Sequence, residues 1–337
     1  MKRSLAVGLV CFVVLCLFLP KNQTPDPIQY FRTQVPVKCK DYQKLGWWEA
    51  EALILDCEGT YLTNEERLGK GCLKGMWLRV PLLELKEWVI IRCQNNFQVL
   101  FSMLENFEAV NDIVSSAVFY EKHPLKTLVL FLEGFSYGDM KFFEKTKRHL
   151  NFGSGYDYFA FANLEAWHNS SDLASLLLDR ENTPLWSKFR EKNFITLAAS
   201  PAAYELGLFE NNYPDHPLFC LFEHVDRVMR GNPFYQESHC LDHKSLEGHI
   251  VSYTQRFFEF YEDLPAVAFL HFQKHNIDEE LSSLLESLKA YPKVQVYIIG
   301  NGEWPVIYQV GEVSRVDSSK TSLKHLRDTM LQENFVE

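Results

Sequence analysis

The stretch AVAFLHFQKHNIDEELSSLLESLKAYPKVQVYII, residues 266–299, carries the pattern that decides the fold. Residues 266–270 and 294–299 are short apolar runs rich in β-branched and aromatic side chains. Between them, residues 278–288 show the apolar spacing of an amphipathic helix. Buried strands that alternate with amphipathic helices are typical of parallel sheets covered by helices. The stretch therefore predicts a strand, a helix and a second strand.

The same alternation extends toward the N-terminus as far as residue 124. Thr183 as an N-cap and Pro184 in the first turn predict the start of one further helix. The other predicted elements are strands at 127–132, 158–162 and 194–198 and helices at 140–150, 172–178 and 245–261. Together they predict an α/β core over residues 124–310 with a doubly wound, mostly parallel sheet, followed by a tail at 311–337.

The first twenty residues resemble a targeting segment. Lys2 and Arg3 precede an apolar run at 5–19, which indicates a signal peptide or a signal anchor. No pair of small residues for cleavage follows the run, so we expect an uncleaved anchor. Basic residues on its N-terminal side predict a type II membrane protein with a luminal or extracellular domain, or a secreted protein if cleavage occurs. The proline-containing residues 21–38 are expected to form a stalk.

Composition narrows the class of partners. An apolar fraction of 47% with 14% aromatic residues is typical of a globular chain. The formal net charge of -10 disfavours nucleic acid and anionic lipid, because binding to phosphates depends on basic surface. Membrane contact is therefore expected only through the N-terminal segment.

The cysteines predict disulfides. Cys11 and Cys16 belong to the hydrophobic segment, and an even number remains in a domain expected to face an oxidising compartment. These are Cys39, Cys57, Cys72, Cys93, Cys220 and Cys240. The simplest connectivity pairs the first four within a small β-rich subdomain at 39–120 and joins Cys220 to Cys240, although other pairings stay open. The sequon at Asn169 is a candidate glycosylation site.

Functional groups of parallel sheets gather just past the carboxyl ends of the strands. The residues at those positions are Glu133, Asn163, Ser200, His271 and Asn301. Glu133 is either a metal ligand or base, or a turn residue. One interpretation of His271, His275 and Asp278 is a metal site with two imidazoles and a carboxylate. The alternative is that His271 is a strand-end residue and Asp278 is a helix cap.

Several of these segments occur in a recognisable order along residues 39–305. They are LFLEGFS at 130–136, WHNSSDL at 167–173, LWSKFREKNFIT at 185–196, the cysteine and long helix of 240–261, the His and Asp of 271–278, and GNGE at 300–303. In this order they resemble the membrane-anchored family catalogued as domain of unknown function 229, in the alkaline phosphatase and sulfatase superfamily. The resemblance implies a sulfatase-like fold. It also implies a site that hydrolyses sulfate or phosphate esters with two metal ions.

The sequence departs from that family where the chemistry would occur. Asn169 lies where the resemblance places the nucleophile, and Asn301 lies in place of the Asp-His-Gly motif. We therefore expect a sulfatase-like ectodomain that has lost catalysis, needs no cofactor and binds a glycan, a sulfated ligand or a protein partner. The alternative is a metal-dependent hydrolase of sulfate or phosphate esters. Its divalent metal ligands would be Glu133, His271, His275 and Asp278.

Overall fold

The described residues lie within the unit of the chain that extends from Pro36 to Glu337. The computed structural model describes residues 39, 44–63, 78, 82, 86–94, 96–115, 125–135, 139, 141, 143–150, 157–161, 183–200, 214–219, 221, 225, 240–241, 244–272, 277–300, 306–311, 328 and 330. The predicted anchor, stalk and helix at 172–178 lie outside these residues, as do Cys72, Asn163, Asn169, Cys220, His275 and Asn301. No helix within the described ranges is long and apolar enough to cross a membrane.

Two small antiparallel sheets form the N-terminal part of this unit. Their strands are β1 (Gly46–Glu49), β2 (Ala52–Leu55), β3 (Thr60–Thr63), β4 (Trp88–Cys93) and β5 (Asn96–Phe101), and helix α1 (Phe107–Ser115) follows. β1 pairs with β2, while β4 lies between β3 and β5. Tyr61, Val89 and Ile91 are among the buried residues in the core of this N-terminal part. The strands therefore lie where the sequence predicted a β-rich region.

The remaining elements build the α/β part. They are β6 (Lys126–Leu132), α2 (Glu144–Leu150), β7 (Asp157–Phe161), α3 (Leu185–Arg190), β8 (Ile195–Ala199), β9 (His216–Pro217), β10 (Cys240–Leu241), β11 (Lys244–Ser245), α4 (Leu246–Phe260), β12 (Ala266–Phe272), α5 (Asp278–Leu288), β13 (Val294–Gly300) and β14 (Val306–Gly311). Pro184, in an extended conformation, occupies the N-cap position of α3. The prediction that Thr183 is this cap was one residue early.

A seven-stranded sheet has the order β7-β14-β13-β6-β12-β8-β9. Five neighbouring strands of this sheet pair in parallel, namely β13, β6, β12, β8 and β9, which confirms a mostly parallel α/β sheet. Every residue of β6, β8, β12 and β13 is buried, as expected for strands covered on both faces. β7 does not join the parallel ladder. It pairs antiparallel with β14, a strand that the sequence analysis did not assign and that in turn pairs antiparallel with β13.

The disulfides differ from the predicted connectivity. Cys57 is bonded to Cys93 within the N-terminal part. Cys39 is bonded to Cys240, across a sequence separation of 201 residues. The predicted bridge between Cys220 and Cys240 is therefore wrong, and so is the prediction that Cys39 pairs within the first four cysteines. Nearness in sequence favoured those pairings, but the entropy of closing a loop grows only slowly with its length, so tertiary contact decides the pairing.

Lys126, fully buried at the start of β6, binds the end of α4. Its Nζ donates to the carbonyl oxygens of Tyr261, Glu262 and Leu264 at 2.6, 3.0 and 2.6 Å. The last carbonyls of a helix lack partners within the helix, and an ammonium group satisfies them. Burial lowers the pKa of Lys126 to about 8, against the opposing charges of Asp263 and Glu262.

This lowered pKa predicts that the protein becomes more stable in mild alkali. As the pH rises from about 8 toward 10, the folded Lys126 loses its proton, whereas the unfolded side chain, with a pKa of 10.5, largely keeps it. The free energy of unfolding should therefore rise by roughly 2 kcal/mol between about pH 7.5 and about pH 9.5. Urea denaturation across this range measures the rise, and Lys126→Met should flatten it. An equal rise in Lys126→Met would assign the effect to another group.

Candidate functional site

Three neighbouring parallel strands end at one edge of the sheet and bring three polar side chains together. β12 lies between β6 and β8, with Phe272 level with Leu132 and Leu270 level with Ala199. Glu133 and Ser200 directly follow β6 and β8, and His271 is the second-last residue of β12. The strand ends singled out from the sequence thus include a real cluster, formed by Glu133, Ser200 and His271.

His271 is the centre of this cluster. Its Nδ1 lies 2.8 Å from Ser200 Oγ, and its Nε2 lies 3.5 Å from Glu133 Oε2. Ser200 and His271 are buried, while the side chain of Glu133 is 48% exposed. The Nε2 atom is buried and makes no well-formed hydrogen bond. The cluster therefore opens to solvent on the side of Glu133.

The histidine keeps the Glu133 carboxyl group ionised. The pKa of Glu133 is lowered, first by the long hydrogen-bond contact with His271 and then by the charge of the same ring, while partial burial opposes both. The ring itself is held by an edge contact with Phe131, whose centroid lies 5.5 Å away. At neutral pH the site therefore presents a carboxylate next to a fixed imidazole.

A tight turn sets the position of Glu133. Gly134 has a φ of 71°, which side-chain-bearing residues rarely adopt, and Phe135 then folds back over the end of β13. A Cβ on Gly300 would come within 2.4 Å of the Phe135 carbonyl oxygen, so this approach requires glycine. Glu133 N donates to Phe272 O at 2.9 Å and ties the turn to β12. Glu133 is thus a turn residue whose carboxylate also belongs to the site.

Asp278 does not join the cluster. It lies in the first turn of α5, where its Oδ1 accepts from Thr146 N at 2.8 Å and its Oδ2 from Lys145 N at 3.0 Å. Both carboxylate oxygens therefore cap the N-terminus of α2, where a negative charge is stabilised by the helix dipole. Asp278 acts as a cap for the neighbouring helix.

Of the side chains predicted to hold a metal, Glu133, His271 and Asp278 are described, whereas His275 lies outside the described residues. Over the ranges that the structure describes, no group of three or more His, Cys, Asp or Glu side chains is arranged to bind a metal ion. Asp278 is engaged with backbone groups, and His271 Nδ1 is engaged with Ser200. A divalent cation would need several such ligands to converge.

The sequence analysis missed the partnership of Ser200 with His271. Ser200 was noted as a strand-end residue but was given no chemical role. The signal that could have found it is the register of adjacent parallel strands, because Ser200 and His271 each lie one residue beyond the paired Ala199 and Leu270. The sequence of either strand alone does not show which residues of the two strands lie side by side.

Neither protein-family models nor curated proteins provide a guide to this site. Comparison of the sequence with models of protein families gave no match, and no curated protein matched it either. A function for the chain is therefore inferred from the chemistry of its own side chains and from the order of motifs described above.

Proposed function

We propose that the chain is a secreted or membrane-anchored, sulfatase-like domain that binds a ligand at Glu133 and His271 and does not hydrolyse sulfate or phosphate esters with metals. A doubly wound sheet of the sulfatase type is part of the proposal. The observation that carries it is the use of both Asp278 oxygens as a cap for α2. A carboxylate committed in this way is not available as a metal ligand.

Among a glycan, a sulfated ligand and a protein partner, an uncharged glycan suits this edge best. Glu133 is ionised and half-exposed, so its oxygens can accept hydrogen bonds from sugar hydroxyls. The His271 ring beside it lowers the pKa of this carboxyl group. A sulfate group would instead meet the Glu133 carboxylate and a chain with a net charge of -10.

Glu133→Gln is expected to weaken binding of a neutral glycan by about tenfold or more, because a hydrogen bond to a charged acceptor contributes roughly 1.5–3 kcal/mol. The purified full-length chain would be screened on immobilised neutral and sulfated glycans, and the affinity of the best ligand compared between variants. Glu286→Gln is the matched control, since it removes an exposed carboxylate at the far end of α5. Its affinity should equal that of the unaltered chain.

Two results would contradict the proposal. One is that sulfated glycans bind more tightly than neutral ones and that Glu133→Gln leaves the affinity unchanged. The other is turnover of sulfate or phosphate esters on addition of zinc, magnesium, calcium or manganese that Glu133→Ala and His271→Ala both abolish. The second result would establish the metal-dependent hydrolase instead.

A further inference from the structure

We infer that Ser200 is a nucleophile for carboxylic esters, with His271 as its general base and Glu133 as the group that orients and stabilises the imidazole. This chemistry needs no metal ion and goes beyond the binding proposed above. It rests on that proposal only in placing the ligand at the same edge of the sheet. The inference depends on the chain of contacts from Ser200 Oγ through the His271 ring to Glu133.

The charge of Glu133 determines which ring nitrogen of His271 carries the proton. An ionised carboxylate oxygen at 3.5 Å repels a nitrogen lone pair and attracts an N–H group, so the proton resides on Nε2. Nδ1 then has a free lone pair, and Ser200 Oγ at 2.8 Å donates its hydrogen to it. The order serine, imidazole, carboxylate is that of an activated serine, with Nδ1 in place of the more usual Nε2 facing the hydroxyl.

Burial and rigidity favour the same role. Ser200 and His271 are buried at the ends of two paired strands, so their contact is held by the sheet rather than by a free loop. Electrostatic interactions are stronger in such surroundings than in water, which helps Glu133 to stabilise a protonated ring. The half-exposed Glu133 marks the side of the cluster that faces solvent.

The reaction balances with water as the only co-substrate. Ser200 Oγ attacks the acyl carbon while its proton passes to His271 Nδ1, and the resulting imidazolium faces Glu133 through Nε2–H. The bond from the acyl carbon to the alcohol oxygen then breaks, and the alcohol leaves with the proton from Nδ1. Water, deprotonated by the same nitrogen, releases the acid from the acyl-serine and restores the hydroxyl.

The negative charge of Glu133 favours an uncharged ester as the substrate. Sulfate and phosphate esters would bring negative charge to the Glu133 carboxylate, whereas an acyl carbonyl has no net charge. An acylated glycan would combine such an ester with the hydroxyl groups that Glu133 can bind. The substrate class assigned here is therefore a neutral carboxylic ester on a hydroxylated carrier.

The test uses the full-length chain with p-nitrophenyl acetate and a fluorophosphonate probe, followed by peptide mapping. We expect ester turnover and probe attachment at Ser200, with turnover lowered about 100-fold or more in Ser200→Ala and His271→Ala. Ser200→Cys, which keeps the contact with His271, should react with iodoacetamide at that position faster than the same variant carrying His271→Ala. This comparison tests the base even if Ser200→Ala folds poorly.

The chain offers a matched control. Ser282 Oγ lies 2.8 Å from His149 Nε2, and His149 Nδ1 lies 3.0 Å from Glu286, but this second group lies on α2 and α5 rather than at the strand ends. Ser282→Ala should keep full turnover and labelling. Absence of labelling at Ser200, or turnover that Ser282→Ala and not Ser200→Ala removes, would overturn the inference. If the chain binds neutral glycans but shows no ester turnover, only the esterase inference is rejected and the proposed binding function is retained.

Discussion

Replacement of both Cys39 and Cys240 by serine is expected to lower the free energy of unfolding by roughly 5 kcal/mol. The bond closes a loop with a sequence separation of 201 residues and joins the N-terminal part to β10. Its removal lets the unfolded chain explore many more conformations, while the folded chain loses little contact. Chemical denaturation of the unaltered and the doubly substituted chain under non-reducing conditions measures the difference.

The second disulfide provides the control for loop length. Cys57 and Cys93 have a sequence separation of 36. The dependence of disulfide stabilisation on loop length therefore gives a loss of roughly 4 kcal/mol for their replacement. The larger loss should therefore follow removal of the Cys39 bridge. Peptide mapping without reduction should recover Cys39 linked to Cys240. Recovery of Cys220 linked to Cys240, or an unchanged midpoint in the Cys39 and Cys240 double variant, would contradict the connectivity.

The α/β core was predictable because its strands are buried along their whole length. Strands such as β12 and β13 appear in the sequence as continuous apolar runs, and the predicted ranges differ from the structure by one or two residues. The neighbours of β7 could not be predicted in the same way. Local periodicity shows that a segment is a strand, but the antiparallel pairing of β7 with β14 depends on contacts between distant segments.

The site was predictable in position but not in chemistry. Rules for parallel sheets placed Glu133, Ser200 and His271 at strand ends, and the structure joins them because β6, β12 and β8 are neighbours. Residue types alone suggested a metal for His271 and Asp278. The structure separates these two because α2 starts next to α5 and its unpaired backbone N–H groups engage the Asp278 carboxylate.

A buried polar network that the sequence analysis did not find joins the N-terminal part to the α/β part. Glu87 Oε1 accepts from Tyr253 Oη at 2.6 Å and lies 2.6 Å from His216 Nδ1. His216 Nε2 lies 2.9 Å from Tyr261 Oη, which accepts from Asn106 N at 3.1 Å. Glu87 and Asn106 flank β4 and β5, whereas His216 lies in β9 and Tyr253 in α4.

One assignment of protons satisfies the short contacts of this network. His216 Nδ1–H donates to Glu87 Oε1, and His216 Nε2 accepts from Tyr261 Oη–H. Burial raises the pKa of Tyr261 to about 12, so its hydroxyl keeps its proton and remains a donor at neutral pH. A fully satisfied network stabilises one arrangement of the two parts, and a missing member leaves buried groups without partners.

Glu87→Ala is therefore expected to lower the free energy of unfolding by roughly 3–5 kcal/mol, because His216 Nδ1 and Tyr253 Oη lose their short contacts with the Glu87 carboxyl group inside the core. Glu87→Gln should cost less, since its amide oxygen can accept both hydrogen bonds in nearly the same shape. Glu87→Leu combined with His216→Leu should cost less than the sum of the two single changes, because one apolar pair replaces two groups that would each be left unpaired. Urea denaturation of these variants measures the differences. Additive losses, or a Glu87→Ala variant as stable as the unaltered chain, would show that the network does not hold the two parts together.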